Sequence, residues 1–266
     1  MSTLRSGDAQ LVFEITGSGP DLILLHPFPL YHHFWDGVLE HLASRYRVFL
    51  PDLRAHGDSE AGDGPVTMQK LADDLDRLCR EFDVTKAIFV GVSIGGYALF
   101  EFWRRYRDRV RALVLANTRA GAETPEGHAT RLQVAERVLK EGAAAFVDEL
   151  IAKLVSPATK TNRPDIVDAA RAMAMKMSPA DVAAVQRGMA DRADSIPTLS
   201  TINVPTLVIA GEEDIVPLAE LQLMQQHISG SELCVIPKAG HYAAMERPAE
   251  FGRLLRTFCD QQVRNS

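Results

Sequence analysis

A serine between glycines is the stretch of this sequence best suited to do chemistry. The run VGVSIGG (residues 90–96) has glycines two residues before and two residues after Ser93. This G-x-S-x-G pattern predicts a strained turn in which bulky neighbours would not fit and the serine hydroxyl is exposed. An apolar β-branched run precedes the turn and a helical pattern follows it, which is the order that the motif requires. Ser93 is therefore a candidate nucleophile.

A serine hydroxyl becomes a nucleophile only when a base takes its proton and a third group orients that base. The partners are expected in the order Ser, Asp or Glu, His, each after a strand. Asp214 and His241 follow the last two apolar, strand-like runs of the sequence. Glu212 and Glu213 also lie there, but the G-x-x-D-x-x-P spacing around Asp214 favours that residue as the acid, with His241 as the base.

Acyl transfer also needs backbone donors for the developing oxyanion, and loss of one such donor costs roughly 3–4 kcal/mol. The first expected donor is the N–H of Ile94, directly after the nucleophile. The second should come from the loop after the first long strand. Pro27 and Pro29 have no N–H there, so the sequence predicts the N–H of Phe28.

Three further residues are candidates for lining the substrate pocket: His26, Pro29 and Arg119. His26 and His56 both lie at strand ends before the serine, and hydrogen bonding in the loops around the site is the favoured prediction for both. A surface salt bridge is the alternative for Arg119. The ring of Phe28 is predicted either to wall the pocket or to pack in the core.

Short apolar strands alternate with helical patterns along the chain, which predicts an α/β fold with a doubly wound, mostly parallel sheet. Ligands bind such sheets at the carboxyl ends of the strands, where the candidate residues lie. The predicted strands before the pattern changes are 10–15, 21–26, 47–52, 87–90 and 110–117, and the helices between them include 31–44 and 68–82. Residues 1–10 are polar and carry no strand prediction.

The pattern becomes purely helical after residue 118, which predicts a helical cap inserted into the sheet. We expect a first part of the core in residues 1–118, a cap in residues 119–201 and a second part of the core in residues 202–266. The predicted cap helices are 127–140, 143–154, 164–177 and 179–192.

Composition argues against several classes of partner. The formal net charge is -6 and basic clusters are short, so no nucleic-acid partner is expected. The odd number of cysteines, their spacing, and the polar start of the chain predict a cytoplasmic protein without a membrane span. His32 and His33 are adjacent and do not share a helix face, so no metal is expected, and no other cofactor is implied. The sequence leaves the oligomeric state open.

With these motifs the chain resembles the α/β-hydrolase superfamily. The resemblance implies that Ser93 is the nucleophile, Asp214 the acid and His241 the base, with Phe28 and Ile94 as the oxyanion amides. The chain departs from many relatives at Pro27 and Ala55, where they have glycine. The segments that carry the resemblance are LLHPFP (24–29), PDLRAHGDSE (51–60), GVSIGG (91–96), GEEDIVP (211–217) and AGHYAAMERP (239–248).

Within the superfamily the chain is similar to small bacterial carboxylesterases, 3-oxoadipate enol-lactonases and cofactor-free haloperoxidases with perhydrolase activity. ANTRAG (116–121) and TPE (124–126) resemble the enol-lactonases. That group would imply an aromatic pair near Leu154, which the sequence lacks. It would also imply a set of cationic cap residues for a dicarboxylate, and the sequence shows no obvious set besides Arg119.

The sequence therefore predicts a carboxylesterase that acts on a small-molecule ester through an acyl-enzyme. A lactone or enol-lactone hydrolase with the same triad is the alternative enzyme, and Pro29 is compatible with a perhydrolase side activity. A receptor-like module that binds a ligand with weak catalysis is the alternative of another class.

Overall fold

The computed structural model describes residues 1–264, and one twisted sheet organises them. Its strands are β1 (Ser2–Ser6), β2 (Ala9–Thr16), β3 (Asp21–Leu25), β4 (Arg47–Pro51), β5 (Ala87–Val92), β6 (Val110–Ala116), β7 (Thr206–Gly211) and β8 (Glu232–Ile236). Their order across the sheet is β1-β2-β4-β3-β5-β6-β7-β8. The six strands β4, β3, β5, β6, β7 and β8 pair in parallel. β2 pairs in antiparallel orientation with both β1 and β4.

Helices flank the faces of this sheet and also lie over the carboxyl ends of its strands. They are α1 (Asp36–Leu39), α2 (Met68–Glu81), α3 (Ile94–Tyr106), α4 (Pro125–Glu141), α5 (Ala144–Leu154), α6 (Pro157–Asn162), α7 (Pro164–Ala174), α8 (Pro179–Ala190), α9 (Ile196–Leu199), α10 (Leu218–His227), α11 (Ala243–Glu246) and α12 (Pro248–Arg264), with 3₁₀ turns at His32–Trp35 and Arg107–Arg109. All six residues of β5 are buried, because both of its faces are covered. The predicted doubly wound, mostly parallel sheet is confirmed.

The first residues of the chain form a strand that the sequence analysis did not predict. β1 pairs with β2 in antiparallel register, from Ser2 opposite Phe13 to Ser6 opposite Ala9. Only two of its five side chains are buried, those of Leu4 and Ser6. The pairing is therefore made mainly by backbone groups, which leave little trace in the hydrophobic pattern.

The long helix predicted over residues 31–44 is wrong. The structure has a 3₁₀ turn, the four-residue α1, and then further turns, with His41 N–H donating to the Val38 carbonyl at 3.1 Å. Gly37 weakens a helix at its centre. It also allows Pro248 to pack closely, because a Cβ atom on residue 37 would lie only 2.8 Å from the Pro248 Cβ. Arg256 Nη1 donates to the His41 carbonyl at 2.8 Å, so this backbone is bound from outside the segment.

Six described helices, α4 to α9, lie between β6 and β7, where the sequence predicted four. The additional ones, α6 and α9, are too short for helical periodicity to reveal. α4 packs along α8, and Val66 N–H donates to the Ala184 carbonyl of α8 at 3.0 Å. Gly188 allows this close approach, because a Cβ there would meet the Val66 carbonyl oxygen. The helices are thereby held over the carboxyl ends of the strands.

Candidate active site

Ser93 occupies the sharp turn between β5 and α3. Its backbone angles are φ 55° and ψ -114°, in the left-handed half of conformational space that a non-glycine residue seldom occupies. A Cβ on Gly91 would lie 2.5 Å from the Gly95 carbonyl carbon, and one on Gly95 would lie 2.7 Å from the Leu25 carbonyl oxygen. The glycines of the motif are thus required by close backbone packing around the serine.

The turn is fixed by the neighbouring strand β6. Ser93 N–H donates to the Ala116 carbonyl at 3.1 Å, and Thr118 Oγ1 donates to the Ser93 carbonyl at 2.8 Å. Ser93 also precedes the first turn of α3, where the N–H of Ile94 has no partner within the helix. The serine side chain therefore lies at the positive end of a helix dipole.

Asp214 and His241 form a buried pair. His241 Nδ1 lies 2.8 Å from Asp214 Oδ1, and the two side chains are 6 % and 0 % exposed. Val216 N–H donates to Asp214 Oδ1 at 3.1 Å, and Asn117 Nδ2 donates to Asp214 Oδ2 at 2.8 Å. Burial raises the pKa of Asp214, but the His241 charge and these hydrogen bonds outweigh it and hold the pKa below its usual value.

Two residues that the sequence analysis missed support this pair. Asn117 directly follows β6, and its side-chain amide donates to the Asp214 carboxylate. Its φ of 47° is a left-handed conformation, which asparagine tolerates better than most residues. Glu246 accepts the N–H of Gly240 at 3.0 Å and the N–H of Ser156 at 3.0 Å. It therefore ties the His241 loop to the junction between α5 and α6.

Ser93 and His241 face the same cavity of about 370 Å³ under the helices between β6 and β7. Phe28, one of the two residues predicted to bind the oxyanion, also lines this cavity. The apolar part of the remaining wall comes mainly from α4, α5 and the segment after Asp214, and Tyr97 lies on the wall too. The apolar lining residues from these segments are Val134, Phe146, Leu150, Leu154, Ile215, Val216 and Pro217.

The loop that carries Phe28 is held by several contacts. Leu30 N–H donates to the Pro27 carbonyl at 3.0 Å, and Tyr242 Oη donates to the Phe28 carbonyl at 3.4 Å. The peptide bond between Phe28 and Pro29 is cis. The ring of Phe28 stands edge-on to that of His56, 5.8 Å between centroids, while it also walls the cavity.

His26 supports this loop from below. His26 Nδ1 donates to the Pro27 carbonyl at 3.1 Å, while Nε2 accepts the Leu53 N–H at 2.9 Å, so both ring nitrogens are used by a neutral imidazole. Burial lowers the pKa of His26 to about 3. His26 and Pro29 are buried and are not among the described residues that line the cavity. The two hydrogen bonds of the His26 ring agree with the favoured prediction of hydrogen bonding in the loops around the site.

His56 likewise lies inside the protein. Its Nδ1 donates to the Arg54 carbonyl at 2.8 Å, and burial lowers the pKa of its imidazole to about 4. Ala55, next to it, has a φ of 66°, in the left-handed region that favours glycine. This conformation accounts for the glycine that many members of the resembled superfamily have at that position.

Arg119 does line the cavity, in an ion pair with Glu123. The sequence shows no obvious cationic set besides Arg119, but the structure brings two further arginines to the same carboxylate. Arg131 of α4 and Arg192, which follows α8, both bind the same Glu123 carboxylate, and Arg131 also lines the cavity. These arginines are far apart in sequence, so only the packing of α4 against α8 reveals the set.

Within residues 1–264, no group of histidine, cysteine, aspartate and glutamate side chains has the arrangement of a metal site. None of the helices in that range has the length and apolar character needed to cross a bilayer.

Comparison with known proteins decides the family. The family model described as the alpha/beta hydrolase fold matches residues 20–248, which include β3 to β8 and every candidate site residue. The chain belongs to the α/β-hydrolase family. Within that family its relatives include esterases and enol-lactonases, so the protein is a hydrolase.

Three relatives of this hydrolase illustrate its neighbourhood. A thermophilic esterase from Thermogutta terrifontis, solved with malate bound, is 39% identical with a TM-score of 0.93, over 96% of this chain and 94% of that one. The 3-oxoadipate enol-lactonase 1 of Acinetobacter baylyi is 27% identical, over 97% of this chain and 96% of that protein. The pimeloyl-[acyl-carrier protein] methyl ester esterase of Nitrosomonas europaea is 28% identical, over 91% and 97%.

Proposed function

We propose that this hydrolase is a serine carboxylesterase that cleaves small-molecule esters through an acyl-enzyme. The observation that carries the proposal is that Ser93 and His241 line the same cavity. Ser93 lies on a strained turn, and His241 is paired with the buried Asp214. The similarity to an esterase at 39% identity over nearly the whole chain supports it. The proposed roles follow from this arrangement and from acyl-transfer chemistry.

In the first half of the reaction, Ser93 Oγ attacks the ester carbonyl carbon while His241 Nε2 takes the hydroxyl proton. Asp214 accepts a hydrogen bond from His241 Nδ1 and stabilises the imidazolium that forms. The carbonyl oxygen becomes an oxyanion, which the N–H groups of Phe28 and Ile94 bind. The bond to the alcohol oxygen then breaks, and that oxygen leaves with the proton from His241.

In the second half, water hydrolyses the acyl-enzyme. His241 Nε2 takes a proton from the water, whose oxygen attacks the acyl carbon. The bond to Ser93 Oγ breaks, Oγ recovers the proton from His241, and the carboxylic acid is released. No group beyond these side chains and water is needed to balance the reaction.

Replacement of the nucleophile tests the proposal. Ser93→Ala should reduce turnover of p-nitrophenyl acetate by at least about 10³-fold and abolish labelling by a fluorophosphonate probe. Ser200→Ala, at an exposed serine after α9, is the matched control and should retain both. Turnover of Ser93→Ala at the wild-type rate would remove Ser93 from the mechanism, and a wild-type protein that takes no label would favour the receptor-like module.

Lactone hydrolysis is the second candidate function, with the same residues. It is supported by the relative named as an enol-lactonase, which aligns over 97% of this chain. Rates on a simple ester, a γ-lactone and an enol-lactone, measured side by side, would separate the two, because only the fit of the cavity differs. A perhydrolase side activity stays a prediction from Pro29.

A further inference from the structure

Three arginines surround one carboxylate at the wall of the cavity. Glu123 lies 2.7 Å from Arg119 Nη2 and 2.6 Å from Arg131 Nε, and it also binds Arg192 Nη1. We call Arg119, Arg131, Arg192 and Glu123 the arginine cluster. The residues come from the segment after β6, from α4 and from the segment after α8, so the cluster joins three parts of the chain.

The arginine cluster carries more positive than negative charge. The side chain of Glu123 is 5 % exposed. Burial raises its pKa, but the charges and hydrogen bonds of Arg131 and Arg192 lower it to about 2, so Glu123 is ionised at neutral pH. Arginine is always protonated in proteins. Two positive charges are therefore in excess, and of the described residues that line the cavity only Glu123 has a carboxylate.

The excess charge is directed toward the cavity. Arg119 and Arg131 line it together with Ser93, while Arg192 lies behind Tyr97, with its guanidinium 4.4 Å from the ring centroid. Gln186 accepts a hydrogen bond from Arg131 Nη1 at 3.0 Å, which fixes the plane of that guanidinium. A fixed guanidinium plane suits bidentate recognition of a planar carboxylate.

We propose that Arg119 and Arg131 bind a second, ionised carboxylate of the ester substrate. The substrate class is then an ester with a free carboxylate at some distance from the bond that is cleaved, such as a half-ester of a dicarboxylic acid or an acylated hydroxy acid. Val134 and Leu150 offer apolar wall for the carbons between the two groups. The turnover part of this inference rests on the proposed function.

Matched ester pairs test the substrate class. Monoethyl adipate and ethyl hexanoate differ by a carboxylate at the end of the acyl chain, and 4-acetoxybutanoate and butyl acetate differ by one at the end of the alcohol. We expect the anionic member of at least one pair to have about tenfold higher kcat/KM, since charge-assisted hydrogen bonds are the strong ones. Preference for the neutral member in both pairs would overturn the proposal.

Charge-removing variants locate the effect. Arg119→Gln and Arg131→Gln should each reduce the anionic-to-neutral ratio of kcat/KM by about tenfold, and Glu123 keeps two arginine partners in either variant. Arg187→Gln, which removes a surface arginine paired with Glu136 on the same pair of helices, should leave the ratio unchanged. If both cavity variants keep the wild-type anionic-to-neutral ratio of kcat/KM, the assignment of Arg119 and Arg131 is overturned.

Binding separates this inference from the proposed function. Calorimetric titration with adipate needs no catalysis, and we expect wild type and Ser93→Ala to bind it with about tenfold higher affinity than Arg131→Gln. If wild type binds adipate more tightly than Arg131→Gln does but does not hydrolyse p-nitrophenyl acetate, the carboxylate site is supported and the esterase proposal is overturned. Turnover of p-nitrophenyl acetate without adipate binding would do the reverse.

Discussion

Asp214 shows how single contacts keep a charge inside the protein at the site. Its side chain is fully buried, and burial alone would favour the neutral acid. The imidazole of His241 and two hydrogen-bond donors, Asn117 Nδ2 and Val216 N–H, stabilise the carboxylate instead. Because both carboxylate oxygens are bound, the carboxylate has a fixed orientation toward His241 Nδ1.

Replacement of this carboxylate by an amide should therefore be severe. Asp214→Asn is expected to lower kcat for p-nitrophenyl acetate by about 10³–10⁴-fold, because the amide neither selects the required imidazole tautomer nor stabilises the imidazolium. The neighbouring exposed residue provides the control, and Glu213→Gln should retain wild-type kcat. Equal losses in the two variants would contradict the choice of Asp214 as the acid.

At the scale of elements, the loop after β8 and the junction of α5 and α6 act as one unit. His241 N–H donates to the Leu154 carbonyl at 2.8 Å, where α5 ends. Glu246, only 3 % exposed, binds N–H groups from both segments, one with each carboxylate oxygen. The position of the imidazole is thus coupled to the helices above the cavity.

This coupling predicts an effect of Glu246 on both stability and rate. Glu246→Gln leaves one acceptor for two backbone donors, so we expect a Tm lower by several degrees and a kcat lower by about tenfold as the His241 loop shifts. Glu232→Gln, at an exposed position of β8, should change neither quantity. Thermal melts and p-nitrophenyl acetate kinetics on the same preparations measure both, and a variant with lower Tm but unchanged kcat would confine Glu246 to a structural role.

At the scale of the whole molecule, buried neutral histidines make stability depend on pH. His26 and His56 lie inside the protein beneath the loop that carries Phe28, and burial lowers their pKa values to about 3 and about 4. In the unfolded chain both titrate near 6.5. Between these pH values the unfolded state binds protons that the folded state does not, so acid favours unfolding.

The expected size of the effect follows from the His56 pKa. Lowering the pH from 7.5 to 5.5 should reduce the free energy of unfolding by about 1 kcal/mol through His56 alone. Urea denaturation of wild type and His56→Gln at the two pH values measures it. The difference in unfolding free energy between the two proteins should change by that amount, and a difference that is the same at both pH values would contradict a neutral buried His56.

Much of the fold could be predicted from patterns of residue types within short stretches of the sequence. β5 and α3 were predictable because an apolar run, the glycines and a helical period follow one another within twenty residues of Ser93. β1 and the turns of residues 31–44 were not, since backbone pairing with β2 and the contact of Gly37 with Pro248 determine them. The short α6 also lies below the length at which periodicity is informative.

The same division holds at the site. The residue pattern was enough to predict that Ser93, Asp214 and His241 lie near one another, because each follows a strand and parallel strands end at one edge of the sheet. Their surroundings became visible only in the folded protein. Asn117 meets Asp214 across 97 residues, and the arginine cluster forms only because α4 lies along α8. Such contacts depend on how segments that are far apart in sequence pack together. A local pattern of residue types contains no information about that packing.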